Sequence, residues 1–377
     1  MMNPKRMNYD CLKPLRVIGS DIYQFTFVKR LLNLTLITHT ILLLLRLYYF
    51  FQTPNMEDLI KYGPLFLLTC YGVFVFAVLL LKNHLVDDVM NILDLWDISS
   101  AGNDVKLRIL SESRKIHTVV VINTALPLLY VTLMLSSREH DSEEIFVQHI
   151  FDKWCPRQAN FWVLIFKMSM YLAGLAMVAP SHQVIYSTQH IKFQMYMLSV
   201  LVERLGSDVE DSHNLIRNEV YQKQIELKLK MIIDRHCDLI RWKSNGLMQM
   251  SNLIIPFVIC TIVVGTSIVL SFLQEVMLWH TFVVALAVLS TMLSTVAAGQ
   301  YLEDESENML LRLVTTNWYN WNTRNRKKLV LILINAANPI QVKFSEGFIV
   351  NFKLLMFIFQ ALYSVMSILA RVAFNRN

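Results

Sequence analysis

Apolar residues dominate seven long stretches of this chain: Leu31–Phe51, Tyr62–Leu81, His117–Leu135, Phe161–Val184, Asn252–Leu273, Met277–Ala298 and Phe348–Ala370. Each is close to the ~20 residues that a helix needs to cross about 30 Å of hydrocarbon. Helix is required there, because each backbone N–H and C=O must be satisfied within its own segment. The pattern predicts an all-α membrane protein with seven transmembrane helices. After the fourth stretch polar positions enter, but apolar ones recur at helical spacing, at Ile191, Met195, Leu198 and Leu201. Lys223 to Trp242 repeats this through Ile225, Leu229, Ile232 and Leu239, as do Tyr301–Thr316 and Arg326–Ala336. A helix that leaves the bilayer with an apolar face must bury it. Residues 185–250 and 299–347 are therefore expected to form an anchor bundle from extensions of the last four spans. With no internal repeat, residues 1–377 read as a single domain.

Charge sets the expected orientation. Of the 35 Lys and Arg, 26 fall in the amino-terminal segment and alternate loops, six in the other loops and carboxyl terminus, and three inside spans. The positive-inside rule then puts the amino terminus in the cytoplasm and the carboxyl terminus outside. That is opposite to a G-protein-coupled receptor. The net charge of +6 follows from this asymmetry and carries no signal for nucleic acid. The basic stretch Gln183–Met250 would instead face anionic membrane lipid. The first 30 residues lack the apolar core of a removable signal, so the first span is expected to act as an uncleaved one. Only Cys155 would lie outside, which leaves no extracellular intrachain disulfide.

No H-E-x-x-H, G-x-S-x-G, glycine-rich phosphate loop or paired-cysteine metal site occurs. The sequence thus offers no enzyme, cofactor or metal reading. Ionisable residues inside spans are functional candidates by default. Arg46 and Lys167 are expected to snorkel toward the outer surface, and His39 to be a satisfied interhelical histidine.

One further pattern is specific. Gly299-Gln300-Tyr301-Leu302 is followed by Ser306, Leu310-Leu311, Trp318-Tyr319, Arg326-Lys327-Lys328, Pro339, Phe352 and Tyr363-Ser364. His190, Phe193-Gln194, Leu198, His236 and Ile240 form a second patch. In order and spacing this resembles the insect odorant receptor family, in particular its variable, ligand-tuning subunits. The related arthropod gustatory receptors are the alternative, although the chain lacks their T-Y-x-x-x-x-x-Q-F-like ending. The acidic run Glu303-Asp304-Glu305 and Lys353 depart from the family pattern.

The resemblance implies an odorant-binding subunit of a ligand-gated, non-selective cation channel. Its expected partners are a common co-receptor subunit in a heterotetramer and a small volatile odorant. Its place would be the plasma membrane of olfactory sensory neurons. It implies a seventh span broken into Arg326–Asn338 and Phe348–Ala370, with a hydrophobic pore gate near Leu354 and Ile358. It also implies an odorant pocket in the outer half of spans two to six. The residues there with suitable chemistry are Leu67, Tyr71, Phe74, Leu126, Tyr130, Met170, Tyr171, His280 and Phe282, with ordinary helix packing as the other reading of each. Tyr71, Tyr130, Tyr171 and His280 could donate a hydrogen bond to an ester, ketone or alcohol. The acidic run Glu303-Asp304-Glu305 with Glu307 would either concentrate cations near the inner exit or simply form a solvated helix end.

Overall fold

The computed structural model describes residues 10–52, 56–82, 85–92, 95–136, 151, 156–205, 215–273, 278–345 and 348–374, and leaves out some side chains within the helices, that of His280 among them. Its helices in chain order are α1 (Lys13–Gly19), α2 (Thr26–Gln52), α3 (Met56–Leu81), α4 (Leu85–Asn91) and α5 (Asn103–Ser136). Then come α6 (Ala159–Glu203), α7 (Glu219–Leu273), α8 (Leu278–Val314), α9 (Thr323–Ala336) and α10 (Phe352–Phe374). Each of the seven apolar stretches lies wholly or largely on one of the helices α2, α3, α5, α6, α7, α8 and α10. Among the described residues, four helices are long and apolar enough to cross a membrane, and α3, α7 and α10 contribute shorter apolar segments.

The hydroxyls within spans obey the backbone rule. Thr35 donates to the Leu31 carbonyl, Thr40 to Leu36 and Thr124 to Val120, so these three hydroxyls are paired within their own helices. Side chains also tie spans together. Asn123 donates to Ser294 and accepts from Ser290, and Ser181 lies 2.6 Å from Thr295. Small residues permit close packing: Gly174 sits against Pro127, where an added Cβ would be in ordinary contact at 3.5 Å.

Helices α6, α7 and α8 have 45, 55 and 37 residues, about 68, 82 and 55 Å at 1.5 Å per residue. All exceed the bilayer, and the overruns pack with α9 around Leu198, Leu229, Ile232, Leu302, Leu313 and Leu329. Trp242 and Trp321 are fully buried in the same core. A polar network joins α7 to α9. Gln222 donates to the Leu215 and Asn320 carbonyls and accepts from the Asn322 N–H and the Asn325 amide. Asn322 in turn caps α9 by accepting from the Asn325 N–H.

His236 is buried in this bundle. Burial, and then the nearby Lys243 charge, lower its pKa to about 4. The unfolded chain binds a proton near pH 6.5 that the folded one refuses. The neutral ring's contribution is therefore present above pH 6.5 and is lost as pH falls toward 4. Thermal unfolding of the purified chain should show a loss of about 3 kcal/mol across that window. His236→Gln should remove this component, and identical pH profiles would refute it.

The amino-terminal segment, polar in sequence, is docked as well. Leu12 and Leu15 are fully buried beside α6. Asp10 accepts from the Tyr186 hydroxyl at 2.8 Å and the Leu12 N–H at 2.9 Å, and its other contact is His190 Nε2 at 3.1 Å. Burial opposes its charge, but the His190 contact and these hydrogen bonds outweigh that and hold its pKa below the usual carboxylate value.

The last span begins later than its apolar stretch. Phe348–Ile349 is a strand paired antiparallel with Lys343–Ser345, not the first turn of a helix. Asn351 then starts α10, its side chain accepting from the Lys353 N–H. The preceding helix α9 stops at Ala336, ahead of Asn338-Pro339, where proline disfavours helix in the residue before it.

Candidate functional site

A cavity of about 110 Å³ lies among α2, α3, α5, α6, α7 and α8, in the part of the spans away from the overruns. Small residues make the room: Ala173 and Gly174 on α6 and Ala287 on α8. Tyr71, Tyr130 and Phe257 supply aromatic wall, and Met170 and Met177 flexible thioethers. The lining is predominantly apolar, and its side chains with polar atoms are His39, Thr69, Tyr71, Tyr130, Thr261 and Thr291.

Most of those polar atoms are bonded to protein. The Tyr71 hydroxyl donates to the Met177 carbonyl at 3.1 Å, bridging α3 and α6. Thr261 and Thr291 donate to the carbonyls of Phe257 and Ala287. His39 Nε2 is 2.9 Å from Ser169 Oγ, and its ring lies against Phe76 and Phe166. Nearby, Arg46 is 1% exposed, with Nη1 3.5 Å from Thr69 Oγ1. The expected snorkelling to the surface does not occur, because α3 packs over α2 and Thr69 gives the guanidinium a polar neighbour inside.

Tyr71, Tyr130 and Met170 come together on this cavity, and the other residues singled out from sequence whose side chains are described do not line it. Leu67 packs beside it against the cluster of Val264, Ile268 and Val284, and Phe74 against the Val75–Phe76 cluster. Leu126 is half-buried off the wall. Tyr171 pairs with Thr132 at 3.1 Å in an exposed position, and Phe282 is 48% exposed. The His280 side chain lies outside the described residues.

The sequence reading missed two helical stripes. Phe257, Thr261 and Val264 are spaced i, i+4, i+7, and Val284, Ala287, Val288 and Thr291 are spaced i, i+3, i+4, i+7. The threonines within those stripes were the available signal, since a hydroxyl on one face of an apolar helix marks the side turned from lipid.

The same helix α8 reaches the last span. A Cβ at Gly299 would stand 2.0 Å from the Val350 carbonyl oxygen. Gln300 accepts from the Phe352 N–H, and Glu303 accepts from the side-chain amides of Gln341 and Asn351. Glu305 is buried, and burial raises its carboxyl pKa. The acidic run is thus not a freely solvated helix end: two of its carboxyls are built into the joint or the core.

Leu354 and Ile358 are 4% and 1% exposed, packed into the same core as Leu302 and Met309. The exposed side of α10 carries Phe352, Met356, Phe359 and Tyr363 instead, at i, i+4, i+7, i+11.

With this geometry in place, comparison with known proteins is decisive. The family model for the 7tm odorant receptor matches residues 55–363. The chain belongs to the odorant receptor family. Its fold is similar to that of the insect olfactory receptor OR5 from Machilis hrabei, with a TM-score of 0.68 at 11% identity, covering 98% of each chain. The structure of that receptor in complex with eugenol is similar too, with a TM-score of 0.67 at 11% identity over 96% of this chain and 97% of that one. No curated protein matches the sequence. This odorant receptor is accordingly a multi-pass, seven-helix membrane protein, and its family is one of receptors rather than enzymes.

Proposed function

We propose that this odorant receptor is the ligand-tuning subunit of a heteromeric, ligand-gated cation channel, with a small volatile odorant seated in the cavity between α2 and α8. Its partner is a common co-receptor subunit, and its place is the plasma membrane of olfactory neurons, amino terminus inside. The observation that carries the reading is the continuity of α8. It forms one wall of the cavity at Val284–Thr291 and, without interruption, meets the start of α10 at Gly299–Glu303. The mechanism is a population shift. An odorant that fits the arrangement of spans in the open channel better than in the closed one draws α8, and α10 with it, toward the open state by its differential affinity.

A gate that excludes water needs apolar side chains facing the pore. A protomer contributes them from a surface it leaves exposed, which Leu354 and Ile358 do not meet. We assign the pore-facing role to the side of α10 bearing Met356, Phe359 and Tyr363, with Leu354 and Ile358 holding α10 against its neighbours. Support for a volatile ligand comes from the cavity's mostly apolar wall, its few polar atoms and its position among six helices.

The test is whole-cell current in a heterologous cell expressing this chain with an insect co-receptor subunit, G-protein signalling blocked, across a panel of volatiles. A fast cation current that needs both subunits is the expected result. Silence despite surface expression would refute the reading. Ala287→Phe, which fills the cavity, should raise the half-maximal odorant concentration at least about tenfold, a loss of roughly 1.4 kcal/mol of binding. An unchanged value would remove the ligand from this cavity.

A further inference from the structure

The size of the cavity rests on a residue that does not line it. Gly72 follows Tyr71 on α3, is buried, and turns toward α6. A Cβ at Gly72 would stand 2.9 Å from the terminal methyl of Met177, a cavity-lining side chain, and 3.9 Å from Cε2 of Phe76. The Met177 methyl therefore already fills the recess that a side chain at Gly72 would take. The backbones on either side of this contact are tied. Tyr71, next to Gly72, donates to the carbonyl of Met177 itself, and Tyr23 donates at 3.0 Å to the carbonyl of Leu175, two residues earlier. With α3 and α6 held together there, the flexible thioether is the part that can give. On its protein side Met177 packs against the cluster of Val75, Phe76 and Leu79, each at most 2% exposed, and such a core has no spare room. The free volume beside it is the cavity.

We infer that Gly72 and Met177 together set the largest ligand that the cavity accepts. With glycine on α3 the methyl withdraws behind the wall and leaves a space of about 110 Å³. Any side chain at that position drives the methyl into this space. A cavity so small discriminates by single carbons. An apolar cavity of about 150 Å³ is the size that holds benzene, and an extra methylene in a packed site forces its neighbours out of their preferred rotamers. The ligand is thus a volatile no bulkier than one ring or a short chain, with the limit set by Met177. The gauge presupposes that the cavity is the odorant pocket, as proposed above, and adds the size class of the ligand.

The experiment uses the purified full-length chain in lipid nanodiscs and a series of straight-chain methyl ketones, from butanone upward one carbon at a time. Affinity is read by calorimetry against empty nanodiscs, and currents from cells with the co-receptor are recorded in parallel. Each added carbon is expected to tighten binding up to a cut-off length, past which affinity falls about tenfold or more. Gly72→Ala should shorten the cut-off by at least one carbon and leave the shortest ketone that binds within about twofold of its original affinity. Met177→Ala should lengthen the cut-off, and it carries the test should Gly72→Ala fail to fold. Adding Gly72→Ala to Met177→Ala should change nothing, because the methyl it would displace is gone. A cut-off that Gly72→Ala leaves in place, that Gly72→Ala shifts equally in both backgrounds, or that Met177→Ala does not lengthen overturns the gauge and leaves the pocket reading standing. No binding of any ketone overturns both. A cut-off that shifts as expected without any current supports the gauge and sinks the channel reading.

Discussion

Gly299→Ala is expected to yield a receptor that does not reach the cell surface, or that unfolds well below the unaltered chain when purified. The reason is distance. The new methyl would lie 2.0 Å from the Val350 carbonyl oxygen and 3.1 Å from its carbonyl carbon, both backbone atoms held beside the short pairing of Phe348–Ile349 with Lys343–Ser345. Neither side can yield cheaply. α8 is held by its own helix and by Glu303's bonds to Gln341 and Asn351, while Val350 donates its N–H to the Val342 carbonyl at 2.8 Å. Overpacking by one methyl costs typically 1–3 kcal/mol, and a contact this short against backbone belongs at about 3 kcal/mol or beyond. Gly72→Ala is the control. There the clash, 2.9 Å, is with the terminal methyl of Met177, which can swing aside. A thermal unfolding comparison of the two variants settles the point, and equal behaviour would refute the argument.

The second large effect should come from Gln222→Leu, a change that conserves much of the volume and removes the chemistry. The side chain serves four partners: the carbonyls of Leu215 and Asn320, the Asn322 N–H and the Asn325 amide. Asn325 is almost wholly buried, and its Nδ2 would keep only the Gln222 carbonyl. Each buried group left unpaired costs about 1–3 kcal/mol, and a shared network loses more than one bond's worth. We expect a loss of about 3–5 kcal/mol, seen as release of α9 from α7 in amide hydrogen exchange. Protection of Leu329 and Ile332 that matches the unaltered chain would contradict this.

The fold was legible where physics leaves one solution. A run of about 20 apolar residues can only be a helix in hydrocarbon, and each of the seven runs is wholly or largely helical among the described residues. The overruns were legible because Ile191, Met195, Leu198 and Leu229 keep helical spacing among charged neighbours. The docking of the amino terminus was not, since it depends on Asp10 meeting Tyr186 and His190, far apart in sequence. The strand at Phe348–Ile349 was hidden because Phe and Ile read equally well as the first turn of an apolar helix. The cavity was legible only in part, for a related reason. In a membrane the lipid-facing and inward-facing sides of a helix are both apolar, so composition does not orient the helix. Tyr71, Tyr130 and Met170 came from chemistry, whereas Phe257, Ala287 and His39 needed the packing. Arg46 shows the limit most clearly, since a cation near a span end points outward by rule and inward here.

The joint at Gly299 also limits how α8 can move. From the centre of the cavity stripe, near Ala287 and Val288, to Gly299 is just over three helical turns, which leaves the two faces about 70° apart around the axis at 3.6 residues per turn. A ligand that crowds the stripe therefore pushes α8 more across the Val350 contact than into it. With no side chain at Gly299 to act as a tooth, the surfaces can slide past each other, whereas compressing two backbones already in contact would be far costlier. The permitted motion is shear, with Asn351 and the first turn of α10 dragged sideways by the hydrogen bonds that Phe352 and Asn351 donate to Gln300 and Glu303.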